Sequence, residues 1–203
     1  MLNRRNALAL GSVLLALGPT APLAAQVSWS ARLGATYTTS MVTERLGTEQ
    51  IELAPGVSPA LSVEAALPLR TKTPLSALFG FQATTGTLRR TDGGASTDLA
   101  SMRTFALTVG VRAKFMGPVS WRAGAGVVSY ATTEKASVFQ DGTPTRLLAM
   151  AGIEYRRPLA PGYTLTGVLG YDAHGFTTEQ LKSNGYTGSQ LVNRVTLSFG
   201  VSR

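Results

Sequence analysis

Few residues in this chain have the type and spacing for chemistry. Its single histidine, His174, follows Asp172 by two positions, and arginines and glutamates are scattered among apolar neighbours. In an extended segment, residues two apart share a face, so a carboxylate placed this way can serve an imidazole as an acid–base partner. Gln82, Asp172, His174 and Arg194 form one candidate polar group, suited to proton transfer or hydrogen bonding. Arg32, Glu64, Arg112, Arg122 and Glu154 form a second, suited to ion pairing. One histidine and no cysteine exclude a transition-metal site of the usual kind. The acids Asp92, Asp98 and Asp141 lack the spacing of a calcium loop. Asp92-Gly93-Gly94 and Ser183-Asn184-Gly185 do not follow a strand and open a helix as a phosphate cradle must. The expectation is therefore no metal and no cofactor.

The elements that position these groups follow from a parity rule. From Val27 to the C-terminus, large apolar residues in eight successive segments fall on odd positions, while small or polar residues fall on even ones. The clearest segment sets Phe105, Leu107, Val109, Val111, Ala113 and Phe115 against Thr104, Thr108, Gly110, Arg112 and Lys114. The others begin near Val27, Val57, Leu75, Val119, Leu147, Tyr163 and Leu191, with Leu78 an inward-facing exception. Alternation of period two describes strands with one apolar and one polar face. All nine candidate residues lie on the even face, so the strands point both groups the same way.

The N-terminus carries Asn3, Arg4 and Arg5, a short apolar core from Ala7 to Leu17, and Pro22-Leu23-Ala24-Ala25 before Gln26. This is the pattern of a secretory signal peptide over residues 1–25, leaving one domain over 26–203. The apolar run is too short for a transmembrane helix, which needs roughly 18 apolar residues or more. Without cysteine, stability must come from strand pairing and packing. The formal net charge is +8, and the chain stays basic after Arg4 and Arg5 are removed. For an exported chain, anionic lipid head groups are a better counter-charge than nucleic acid.

The connections alternate in length. Those over 67–75, 115–119 and 155–163 are tight and hold the turn formers Pro68, Pro74, Gly117, Pro118, Pro158, Pro161 and Gly162. Those over 38–56, 85–103, 128–146 and 175–190 are long and polar. Loop one mixes Glu44, Glu49 and Glu52 with Leu46, Ile51 and Leu53, which suggests strands projecting past the wall, whose edge could add a partner's strand. On the odd face, Trp29, Phe115, Trp121, Tyr155, Tyr163 and Phe199 fall near the turns, and Tyr37, Phe105 and Tyr171 nearer the long loops. Two aromatic bands enclosing an aliphatic belt match the girdles of a membrane barrel. Phe105 to Phe115, tilted near 45°, covers about 25 Å of membrane. The competing reading is a soluble barrel or sandwich with the odd residues inside. A closed wall of this size, however, has an interior only wide enough for side chains, and small polar residues fill it better than aromatics.

Over the whole mature chain this pattern resembles the small outer-membrane β-barrel superfamily of OmpA-type and OmpX-type proteins. That implies an all-β, eight-stranded, antiparallel, up-and-down transmembrane β-barrel in the bacterial outer membrane, with both termini periplasmic. One departure is that Phe199, and not the last residue Arg203, is the final aromatic. The resemblance implies outer-membrane lipids, periplasmic chaperones and the barrel-assembly machinery as partners, and a monomer. The expected function is a non-catalytic role in envelope integrity or surface interaction through the loops. Two alternatives stay open: a small channel for ionic or hydrophobic solutes, favoured by the inward apolar residues Leu78, Leu148, Met150 and Val168, and a lipid A-modifying enzyme. The deacylases of this size carry a His-x-Ser arrangement on a late strand, whereas here His174 is followed by Gly175 and Phe176.

Overall fold

A computed structural model describes residues 27–46, 49–69, 74–92, 94–132, 145–178, 182 and 190–203. The signal peptide expected over 1–25, Asp141 and the Ser183-Asn184-Gly185 turn lie outside the described residues. Among the described residues ten strands form: β1 (Ser28–Thr38), β2 (Val42–Leu46), β3 (Glu49–Ala54), β4 (Gly56–Pro68), β5 (Leu75–Asp92), β6 (Ala95–Met116), β7 (Val119–Thr132), β8 (Thr145–Ala160), β9 (Tyr163–Phe176) and β10 (Gln190–Ser202). Eight of them close a ring in the order β1, β4, β5, β6, β7, β8, β9, β10, with every neighbour antiparallel and β10 returning to β1. No helix among the described residues is long and apolar enough to cross a membrane, which leaves open crossing by strands.

Register keeps the parity rule around the ring. Leu33 stands opposite Leu61 and Phe199, Val109 opposite Phe79 and Ala125, and Leu169 opposite Ile153 and Leu197, so odd residues share the outer face. Leu33 keeps 69% of its surface exposed and Leu107 58%, whereas inward Thr36 and Ser198 keep 1% and 2%. A soluble barrel would show the reverse. The aromatic bands are on the outside, with Phe81 and Phe105 stacked at 6.3 Å between centroids. At the turn side, Gly117 and Gly162 adopt φ of +53° and +78°, beside Pro118 and Pro161. A side chain at either position would resist that left-handed backbone.

The long-loop side departs from expectation over 85–103 and meets it over 38–56, where projecting strands were expected. The segment 85–103 is no loop: β5 runs on to Asp92 and β6 starts at Ala95, joined by a tight turn after a register shift at Leu88/Arg89. Thr91 and Ser96 hydroxyls bond at 3.0 Å, and Arg89 pairs with Asp98 at 2.9 Å. Short polar and charged cross-strand pairs of this kind stabilise a hairpin without apolar alternation. The segment 38–56 contains β2 and β3, a hairpin that attaches to the extended end of β5 through Leu53 opposite Arg90. Pro55 separates β3 from β4, which opens on Gly56 at φ +61°.

Candidate functional site

The even face of the ring surrounds a lumen, and the glycines on that face make room for long side chains. A Cβ on Gly152 would meet the Cγ of Arg122 at 3.3 Å, and one on Gly80 would lie 3.8 Å from a Glu64 carboxylate oxygen. Toward the tight turns, the charged residues meet at one level. Glu64 accepts hydrogen bonds from Arg32 Nη2 at 3.2 Å and Nη1 at 3.5 Å, and a third from Arg122. Arg32 also donates to Ser30 Oγ at 2.8 Å. Glu154 accepts from Arg112 Nη1 at 3.0 Å, with Arg122 Nη1 and Arg156 Nε both at 3.7 Å. Arg122 thus joins the two carboxylates. Both glutamates are buried, at 3% and 1% exposure, as are Arg32 and Arg122. The structure brings all five residues of the charged group together and adds a sixth, Arg156, which also donates to Ser202 Oγ at 3.3 Å. Its even position between Glu154 and Pro158 was the available signal.

Nearer the long loops, the polar group divides. Gln82 donates to Thr36 Oγ1 at 3.1 Å and Thr196 Oγ1 at 3.2 Å, and accepts from Arg194 Nη2 at 3.4 Å. Arg194, 1% exposed, stands directly opposite Asp172, with 3.6 Å between Nε and Oδ1. His174 belongs elsewhere: its Nε2 pairs with the Tyr130 hydroxyl at 2.5 Å. The acid–base pairing of Asp172 with His174 does not form. Asp172 turns to Arg194, and Nδ1 of His174 has no hydrogen-bond partner among the described residues.

Above His174 the lumen becomes apolar. Tyr130 meets Phe176 edge-on, with centroids 5.7 Å apart and ring planes at 87°. Around them pack Met41, Leu53, Leu88, Met102, Val128, Leu148 and Val192, all buried. Tyr130, Val128 and Phe176 lie on even positions of strands that outrun their sequence-derived ends, so carrying the parity on would have found them. Of the inward apolar residues read from sequence, Leu78, Leu148 and Val168 are buried and Met150 packs against this cluster. Between the charged and polar levels lies a cavity of about 70 Å³, lined by Arg32, Glu64, Gln82, Arg122, Asp172 and Thr196 among others. It has room for a few waters. Among the described residues, no cluster of histidine and acidic side chains is arranged to hold a metal ion.

No protein-family model matches the chain, and no curated protein matches it by sequence. Solved structures do match. Neisserial surface protein A (NspA) aligns over 87% of this chain and 96% of its own at 13% identity, with a TM-score of 0.53. The outer membrane protein OprG from Pseudomonas aeruginosa aligns over 87% of this chain and 93% of its own at 9% identity, also with a TM-score of 0.53. With its closed ring, its apolar exterior and its side-chain-filled lumen, the chain has the fold of the small eight-stranded outer-membrane β-barrels.

Proposed function

We propose that this protein is a non-catalytic barrel of the bacterial outer membrane, with its tight turns and both termini in the periplasm, which supports envelope integrity or surface interaction through its long-loop side. The observation that carries the reading is a lumen filled at three successive levels: a buried ion-pair network, a hydrogen-bonded polar layer and an apolar cap. Such a filled interior leaves the loops and the outer wall as the working surfaces. The projecting β5–β6 and β2–β3 hairpins extend that surface. Outer-membrane lipids cover the wall, and periplasmic chaperones and the barrel-assembly machinery deliver the chain, which works as a monomer.

Against lipid chemistry stands the placement of His174, which is 3% exposed, bonded to Tyr130 and separated from the lipid by the barrel wall. The direct test is planar-bilayer conductance of the refolded chain. A silent wild type and a conducting Arg122→Ala variant are expected, since Arg122 links both carboxylates. Steady conductance by the wild type would replace this reading with the channel. New acyl-chain products from outer-membrane lipids, lost in His174→Ala, would replace it with an enzyme.

A further inference from the structure

At the turn-side level, the guanidinium groups of Arg32, Arg112, Arg122 and Arg156 share the carboxylates of Glu64 and Glu154. Positive charge therefore exceeds negative charge in a lumen packed with side chains, and no third carboxylate among the described residues joins the network. Among the described residues, Arg32 Nε and Arg122 Nη1 are buried without a hydrogen bond, as is one acceptor, Glu154 Oε2, which lies 3.7 Å from Arg122 Nη1. Charges removed from water need counter-charge, and like charges held together cost stability.

The surplus adjoins a second cavity, of about 290 Å³, at the mouth on the tight-turn side. Arg112, Lys114 and Arg156 line it together with Ser76 and Ser120, between the turns holding Pro74 and Pro118, and among the described residues no acidic one is in its lining. Arg112, 9% exposed, uses Nη1 on Glu154, which leaves most of the five N–H donors of a guanidinium free of that contact. Lys114 makes no ion pair among the described residues. A guanidinium fork matches the paired oxygens of a phosphate or carboxylate. At roughly 30 Å³ per water, this cavity has room for such a group with its hydration or its substituent.

We propose that the turn-side mouth of the barrel is a binding site for a small soluble oxyanion, a phosphate or a carboxylate. Lys114, Arg156 and Arg112 supply charge and directed donors, and Ser76 and Ser120 supply hydroxyls. The occupant also compensates the surplus of the ion-pair network beneath it. The charged and hydroxylic lining lies on even positions of β5 to β8, the parity of the lumen face, whereas lipid head groups lie outside the wall. The site depends on the barrel interior and not on which membrane holds the barrel.

The test is isothermal titration of inorganic phosphate into the full chain refolded in maltoside micelles, which contain no phosphate, at low ionic strength. Saturable one-to-one binding is expected, weakened at least tenfold in Lys114→Gln and further in Lys114→Gln with Arg156→Gln. Lys114 is exposed and Arg156 half-buried, so both variants keep the heat-modifiable gel mobility of a folded barrel. Competition by acetate, with none from chloride at the same concentration, would place carboxylates within the class. Absence of saturable binding, or unchanged affinity in the double variant, would overturn the proposal. So would displacement of phosphate by phosphatidylglycerol doped into the micelles, because the occupant would then be a lipid.

Discussion

Glu154 is the point at which the ion-pair network is most exposed to a single substitution. Its carboxylate lies 3.0 Å from Arg112 and 3.7 Å from both Arg122 and Arg156, and it is 1% exposed. Glu154→Gln keeps the shape and removes the charge. Arg122 retains Glu64, but Arg112 loses its only carboxylate among the described residues while 9% exposed. A single pair about 4 Å apart at an effective dielectric near 20 has a gross attraction of roughly 4 kcal/mol. Desolvation offsets much of that when the pair forms, but is not recovered when one member is deleted and the other stays buried. Breaking a buried pair in this way costs about 3 to 5 kcal/mol. With a urea dependence near 2 kcal/mol per molar, the unfolding midpoint falls by roughly 1.5 to 2.5 M. Urea titration in micelles, followed by the fluorescence of Trp29 and Trp121, reads this shift. Asp98→Asn is the control, since its pair with Arg89 is 61% and 62% exposed and is worth at most about 1 kcal/mol. In a double-mutant cycle, Arg112→Ala and Glu154→Ala should couple by about 1 to 3 kcal/mol. A Glu154→Gln midpoint no lower than that of Asp98→Asn would refute the network as a structural element.

Other substitutions test separate parts of the molecule by the same titration. Val109→Arg, midway along the exposed odd face of β6, should cost about 2 to 4 kcal/mol in a bilayer, and equal stability would rule out a lipid-facing position. Tyr130→Phe keeps the ring against Phe176 but leaves His174 Nε2 without its 2.5 Å partner, a loss of about 1 to 3 kcal/mol; a neutral effect would mean that water replaces the hydroxyl. Gly124→Val would press a Cβ to 2.7 Å from the Gly110 backbone across the strand pair, and overpacking of that kind costs about 1 to 3 kcal/mol. A Gly124→Val barrel as stable as wild type would show that β6 and β7 can separate there.

The wall was legible in sequence because its information is one bit per residue. Phe105 to Phe115 alternates without a break, and a slip of one residue would exchange the lipid face for the lumen. The projection in loop one was legible from its apolar residues, but that over 85–103 was not, because its Thr, Ser, Arg and Asp have the composition of a loop while pairing as strands through Thr91 with Ser96 and Arg89 with Asp98. The candidate acid–base pair failed for a geometric reason. Asp172 and His174 are neighbours along one strand, but Arg194 is directly opposite Asp172 on β10. Directly opposed Cβ atoms lie about 4.5 to 5.5 Å apart and are closer than diagonal neighbours, so the cross-strand charge takes the carboxylate. Tyr130, the partner that His174 did find, sits on β7, which flanks β8 on the side opposite β9, so the contact reaches over an intervening strand that sequence spacing does not reveal. The charged level was easier, since five even-numbered residues near the tight turns have no other place to go than a common cross-section.

The central claim is that odd residues face lipid and even residues face a filled lumen. The absence of cysteine allows a clean single-cysteine scan at 104 to 109, each site nitroxide-labelled in the barrel reconstituted into vesicles. Oxygen accessibility should alternate, high at Phe105, Leu107 and Val109 and low at Thr104, Ala106 and Thr108, with a water-soluble nickel chelate excluded most strongly at Val109. Flat accessibility along β6, or nickel reaching the odd positions as readily as oxygen, would contradict the account.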